Sequence, residues 1–135
     1  MGSFMRLLLD TNICIAYLHR NDTAVVQKFK ETKPADLVLC SVVKAELIYG
    51  ARRSQRVSEN MHRLSLFFAN FESLPFDDKA AEFYGINRAL LAKSGTPIGA
   101  NDLLIASVAL AHNLTVVTRN IGEFMRLPGL AVEAW

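Results

Sequence analysis

Apolar positions follow two rhythms along this chain. Short unbroken runs, Arg6 to Asp10, Leu37 to Cys40 and Thr115 to Thr118, predict strands buried on both faces. Between them apolar residues recur at three- and four-residue spacing, which predicts helices. The first strand ends in a turn at Asp10-Thr11-Asn12, and a helix follows over Ile13 to His19. A second helix over Thr23 to Thr32 places Val25, Val26 and Phe29 on one face, and Pro34 stops it. After the second strand, Ser41 is the expected N-cap of a helix over Val42 to Ala51. Ser54 opens a longer helix carrying Met61, Leu64, Phe67, Phe68 and Phe71, then Glu72 to Phe76 forms a short strand broken by Pro75.

Asp77 caps a helix running to about Lys93, with Ala80, Phe83, Tyr84, Asn87 and Leu91 at helical spacing. Ser94 to Gly99 is a Gly/Pro loop. Asn101 to His112 is apolar almost all round and is expected to be a buried helix. A helical turn near Glu123, the pair Pro128-Gly129 and a last extended segment ending at Trp135 complete the chain. Strands alternating with helices predict an α/β fold with a parallel sheet covered on both faces. No repeat or linker divides the sequence, so residues 1–135 are expected to form a single domain.

Composition narrows the class. Hydrophobic residues make up 51% and charged residues 21% of 135, which excludes a disordered chain. Two cysteines, Cys14 and Cys40, are too few for a disulfide framework or structural zinc, and both sit in apolar runs as reduced core residues. No targeting segment is apparent. The longest uncharged stretch, Leu103 to Thr118, is shorter than the ~20 residues of a membrane span. A cytoplasmic protein with no membrane attachment is expected, and residues 1–4 read as an expression leader before Met5. Net charge is +2, yet residues 1–67 carry +4 and residues 68–135 carry −2. Lys44, Arg52, Arg53, Arg56 and Arg63 form a basic cluster able to follow phosphates or simply to face water.

Three acids stand out. Asp10 ends an apolar strand, where open parallel sheets place their ligands, although an ordinary N-cap accounts for it equally. Glu46 lies in an otherwise apolar helix stretch, where a carboxylate needs a partner: a cation, or a salt bridge to Lys44 or Arg53. Asp102 opens the most apolar helix, where the helix dipole alone is a sufficient reason for it. Thr118, Asn120 and Glu123 follow the last clear strand, and would meet Asp10 if the two strands are neighbours. Two carboxylates ~5 Å apart at an effective dielectric of ~20 repel by roughly 3 kcal/mol, a penalty a divalent cation removes. Oxygen-only ligation suits Mg²⁺ or Mn²⁺ and phosphodiester cleavage. No dinucleotide fingerprint, Walker lysine loop or G-x-S-x-G is present. Cys14 sits in a core setting, and His19, His62 and His112 are isolated, with His112 expected at a helix end or on the surface.

In order and spacing, Leu9-Asp10-Thr11-Asn12, Glu46-Leu47-Ile48-Tyr49-Gly50, Gly95-Thr96-Pro97-Ile98-Gly99 before Asp102-Leu103-Leu104-Ile105-Ala106, Val117-Thr118-Arg119-Asn120 and Glu123-Phe124 resemble the PIN-domain ribonuclease toxins of the VapC type. The match runs over nearly the whole chain. The resemblance implies a three-layer α/β/α sandwich with a parallel central sheet. It implies catalytic and metal-holding roles for Asp10, Glu46 and Asp102, and supporting roles for Thr11, Asn12 and Thr118; where the family often has a fourth acid, this chain offers Asn120, Glu123 or neither as a further ligand. Lys44, Arg52, Arg53 and Arg119 are the expected RNA contacts. The implied activity is endoribonuclease cleavage of tRNA or ribosomal RNA with Mg²⁺, for which Mn²⁺ substitutes. The implied partners are a small cognate antitoxin protein and a second copy of the chain, as a homodimer and a toxin–antitoxin heteromer. Two alternatives stand beside it: a nuclease of the same architecture acting in RNA maturation or on structured DNA, and a non-catalytic nucleic-acid-binding module. Three retained acids argue against the last, since a phosphate-binding surface gains nothing from them. Dehalogenase-type phosphatases need a second Asp where this chain has Asn12.

Overall fold

A computed structural model describes residues 6–135; the leader proposed for residues 1–4 lies outside the described residues. Five strands form one parallel sheet: β1 (Leu7–Leu9), β2 (Leu37–Cys40), β3 (Glu72–Leu74), β4 (Thr115–Thr118) and β5 (Ala131–Ala134). Their spatial order is β3-β2-β1-β4-β5. Leu8 pairs with Val38 on one side and with Val116 on the other, so β1 is central and its three leucines are all buried. That burial on both faces explains the unbroken apolar runs. Strand order reverses between β1 and β4, the position at which open α/β sheets form a crevice beyond the strand ends.

The helices are α1 (Thr11–Leu18), α2 (Thr23–Glu31), α3 (Ser41–Arg52), α4 (Val57–Phe68), α5 (Asp78–Lys93), α6 (Ala100–His112) and the short α7 (Ile121–Phe124). They cover both faces of the sheet, giving three layers, α/β/α. Helix α6 contributes seven buried residues, among them Ile105, Ala106 and Val108 at 0% exposure. Cys14 and Cys40 are free and buried. Among the described residues no helix is long and apolar enough to cross a membrane.

Element ends depart from the sequence reading in ways that side-chain bonds explain. Helix α1 starts at Thr11 rather than Ile13, because the Asp10 carboxylate caps it by accepting from the Thr11 N–H at 2.8 Å. The expected turn at Asp10-Thr11-Asn12 is thus the first helical turn. Ser41 is the first residue of α3 and not its cap; Cys40 holds that place without a capping side chain. Ser54 does not open α4. Its hydroxyl donates to the Ala51 carbonyl at 2.6 Å and accepts from Asn60, closing the end of α3, and α4 begins at Val57. Phe71 lies beyond α4, and β3 stops at Leu74 before Pro75. His112, in the last turn of α6, sits 3.1 Å from the carboxylate of Asp77, the residue that caps α5.

Candidate active site

Asp10 follows β1 and Thr118 ends β4. Because Leu9 pairs with Val117, the next residues fall side by side at the carboxyl edge of the sheet. The Thr118 hydroxyl donates to Asp10 Oδ2 at 2.7 Å, while Oδ1 accepts from Thr11 N–H. Asp10 is only 4% exposed. Burial pushes its carboxyl above the usual range, more than the Thr118 and Thr11 bonds pull it down, and the charges of Glu46 and Glu123 add to the rise.

The other acids attach to this anchor through neutral donors. The Thr11 hydroxyl donates to Glu46 Oε1 on α3, and the Asn101 amide donates to Glu46 Oε2 at 2.9 Å. Among the described residues those are the hydrogen-bond partners of Glu46, and neither Lys44 nor Arg53 forms an ion pair with it. Asn101 adjoins Asp102 in the first turn of α6. On the far side, the Thr118 hydroxyl accepts from Asn120 N–H at 2.9 Å, and the Asn120 amide donates to Asp102 Oδ2 at 3.0 Å and to Glu123. Glu123 also accepts from Gly99 N–H at 2.8 Å. A ring of bonds therefore runs from Glu46 through Thr11, Asp10, Thr118 and Asn120 to Asp102, and returns through Asn101.

Asp102 is half-buried, and its carboxyl is pushed up to about 6. Burial is the largest cause, followed by the nearby charge of Asp10. Glu123 is drawn below its ordinary value by the donors Asn120 and Gly99. Gly99 brings its backbone close to both acids: a Cβ there would lie 3.7 Å from Asp102 Oδ2 and 3.8 Å from Glu123 Oε1.

Asp10, Glu46 and Asp102 line one cleft of about 810 Å³, together with Thr11, Asn12, Ile15, Tyr49, Arg53 and Asn101. Among the described residues no three His, Cys, Asp or Glu side chains gather closely enough to hold a metal ion. Thr11, Thr118, Asn101 and Asn120 donate to Asp10, Glu46 and Asp102. The donor set nevertheless fits a hard cation. It consists of carboxylate, hydroxyl and amide oxygens, and two of its carboxyls are raised, one partly by the other's charge. Cys14 and Cys40 are buried and do not line this cleft.

The four cations expected to hold RNA are placed differently. Arg53 lines the cleft, and Arg52 beside it is exposed. The Lys44 ammonium lies 4.8 Å from the centre of the Phe68 ring. Arg119 is tied to Asp22 and to the Trp135 carbonyl. The sequence reading missed Asn101, whose place directly before Asp102 at a helix start was the available signal.

A three-layer α/β/α sandwich around a five-stranded parallel sheet, with carboxylates at its reversal-point crevice, matches the architecture of the PIN fold. The chain belongs to this family: the PIN domain profile matches residues 7–130. Within it, the chain belongs with the VapC-type ribonuclease toxins. It is 39% identical over 132 residues to the ribonuclease VapC2 of Rickettsia felis, covering 97% of this chain and 98% of that protein. It is 36% identical over 131 residues to the tRNA(fMet)-specific endonuclease VapC of Salmonella typhimurium, with the same coverage. The solved structure of DNA-bound VapBC from Salmonella typhimurium superposes with a TM-score of 0.90 at 36% identity, covering 98% of this chain and 99% of that one.

Proposed function

We propose that residues 1–135 form one PIN domain that acts as the toxin of a toxin–antitoxin pair, an endoribonuclease cutting tRNA or ribosomal RNA. The observation that carries this reading is the single cleft lined by Asp10, Glu46 and Asp102, cross-braced by hydroxyl and amide donors. Asp10 and Asp102 would hold Mg²⁺, or Mn²⁺ in its place, with Glu46 beside them and Asn120 and Glu123 fixing Asp102. The ion supplies positive charge where a phosphodiester gains negative charge on cleavage. Glu46, held at both oxygens by Thr11 and Asn101, orients the attacking water. Thr11 and Thr118 keep Asp10 in place, Asn12 at the start of α1 faces the same cleft, and Arg53 meets a phosphate of the strand.

The relatives' names support RNA as substrate, and the VapBC structure supports a small antitoxin as partner. In this reading the toxin is a cytoplasmic homodimer, and the antitoxin holds it inactive in a toxin–antitoxin heteromer. The test is purified wild-type and Asp10→Asn protein incubated with total cellular RNA, with Mg²⁺ and with EDTA, and the new ends mapped. Wild type with Mg²⁺ should produce discrete cuts, reduced roughly 100-fold or more by Asp10→Asn and abolished by EDTA. Equal cutting by Asp10→Asn refutes the assignment.

A further inference from the structure

Among the described residues, Tyr49 is the one aromatic side chain lining the acidic cleft. It lies on α3 three residues after Glu46, hence on the same helix face. Its side chain is 65% exposed although α3 is packed in the fold, and the described residues offer its hydroxyl no hydrogen bond. The Arg53 guanidinium stands 5.5 Å from the ring centre and lines the same cleft. Ile15, 36% exposed, adds a second apolar surface to that wall. Packing does not explain this ring, because it buries little and, among the described residues, its hydroxyl has no bond and its ring meets only the Arg53 cation among charged groups. A flat π-face beside a phosphate-binding cation is the combination on which unpaired bases stack.

We propose that Tyr49 is the stacking platform for an unpaired base next to the scissile phosphate, with Arg53 on an adjoining phosphate. The proposal rests on the ribonuclease reading above. It adds the side chain that grips a base rather than a phosphate, and a base inside a duplex cannot present its face to Tyr49. The base stacks on the ring and the phosphate beside it meets Arg53, while Asp10, Glu46 and Asp102 face the bond that is cut.

The test measures binding apart from cleavage. Asp10→Asn protein carrying Tyr49, Tyr49→Phe, Tyr49→Ala or Arg53→Ala is titrated, by fluorescence anisotropy, against two labelled 12-mers: oligo(A), and a chain of abasic ribose phosphates. Tyr49→Ala should weaken oligo(A) binding roughly 10-fold and leave the abasic chain within about 2-fold; Tyr49→Phe should keep both. Arg53→Ala should weaken both chains and lower the salt dependence by about one ion. Unchanged oligo(A) binding by Tyr49→Ala overturns the platform, as does equal loss of both chains. Loss accompanied by a halved mass in sedimentation also overturns it, placing Tyr49 between two copies of the chain instead. If the Tyr49-bearing protein binds neither chain, the ribonuclease reading falls and the platform with it.

Discussion

Replacing Asp102 by Asn tests whether the cleft stores electrostatic stress. In the folded chain the Asp102 carboxyl rises from 3.8 to about 6, through burial and the charge of Asp10. Folded protein therefore binds more protons at this site than unfolded protein between those two values. Stability contributed by the site is present at pH 4 and is lost as pH rises through 6. The ceiling is about 3 kcal/mol, from the 1.36 kcal/mol that each tenfold change in proton affinity represents. Asp102 is half-buried, so water screens part of this, and about 1–2 kcal/mol is expected. Asparagine keeps the acceptor for Asn120 and removes the charge. Urea or thermal unfolding in EDTA at pH 4, 5, 6 and 7 measures the difference between the two proteins. Asp102→Asn should gain about 1–2 kcal/mol on wild type between pH 4 and pH 7, or roughly 3–6 °C in melting temperature. Parallel pH profiles would refute the reasoning.

The same stress should be relieved by a cation. Mn²⁺ at ten times its dissociation constant should stabilise wild type by about 1.4 kcal/mol and Asp102→Asn by clearly less, read by melting temperature against ion concentration. Thr118→Val removes the hydroxyl from buried Asp10 and should cost about 1–3 kcal/mol at pH 7. Because that bond favours the ionised carboxylate, the loss should shrink below pH 4, as urea unfolding at both pH values will show. Leu8→Ala, in the centre of the sheet at 0% exposure, should cost about 2–5 kcal/mol by chemical denaturation without altering the order of RNA cuts.

Sequence reading and structure diverge mainly at element ends and at the partners of the acids. Helix periodicity located every long helix, but a cap is chosen by geometry. Asp10 and Asp77 cap their helices through side-chain bonds, whereas Ser41, an equally good cap type, lies one residue inside α3. Ser54 had the right chemistry for a helix start and uses it to finish the preceding helix. The acids were visible as acids in apolar surroundings, since a carboxylate there must have a partner. Which partner was not visible: Thr11 and Asn101 hold Glu46, in place of the basic residues nearby in sequence.

The sequence by itself determined the alternation of strands and helices, the buried leucine strand and the presence of three acids in or beside apolar elements. These are local properties, written in the spacing of apolar side chains over a few residues. The tertiary structure alone decided that β1 and β4 are neighbours, and with that, that Asp10 meets Thr118 across 108 positions of chain. It also decided that Arg119 is bound to Asp22 while Arg53 faces the cleft. Such pairings depend on strand order and register, which arise from how the whole sheet buries its two faces, and no short window of residues encodes them.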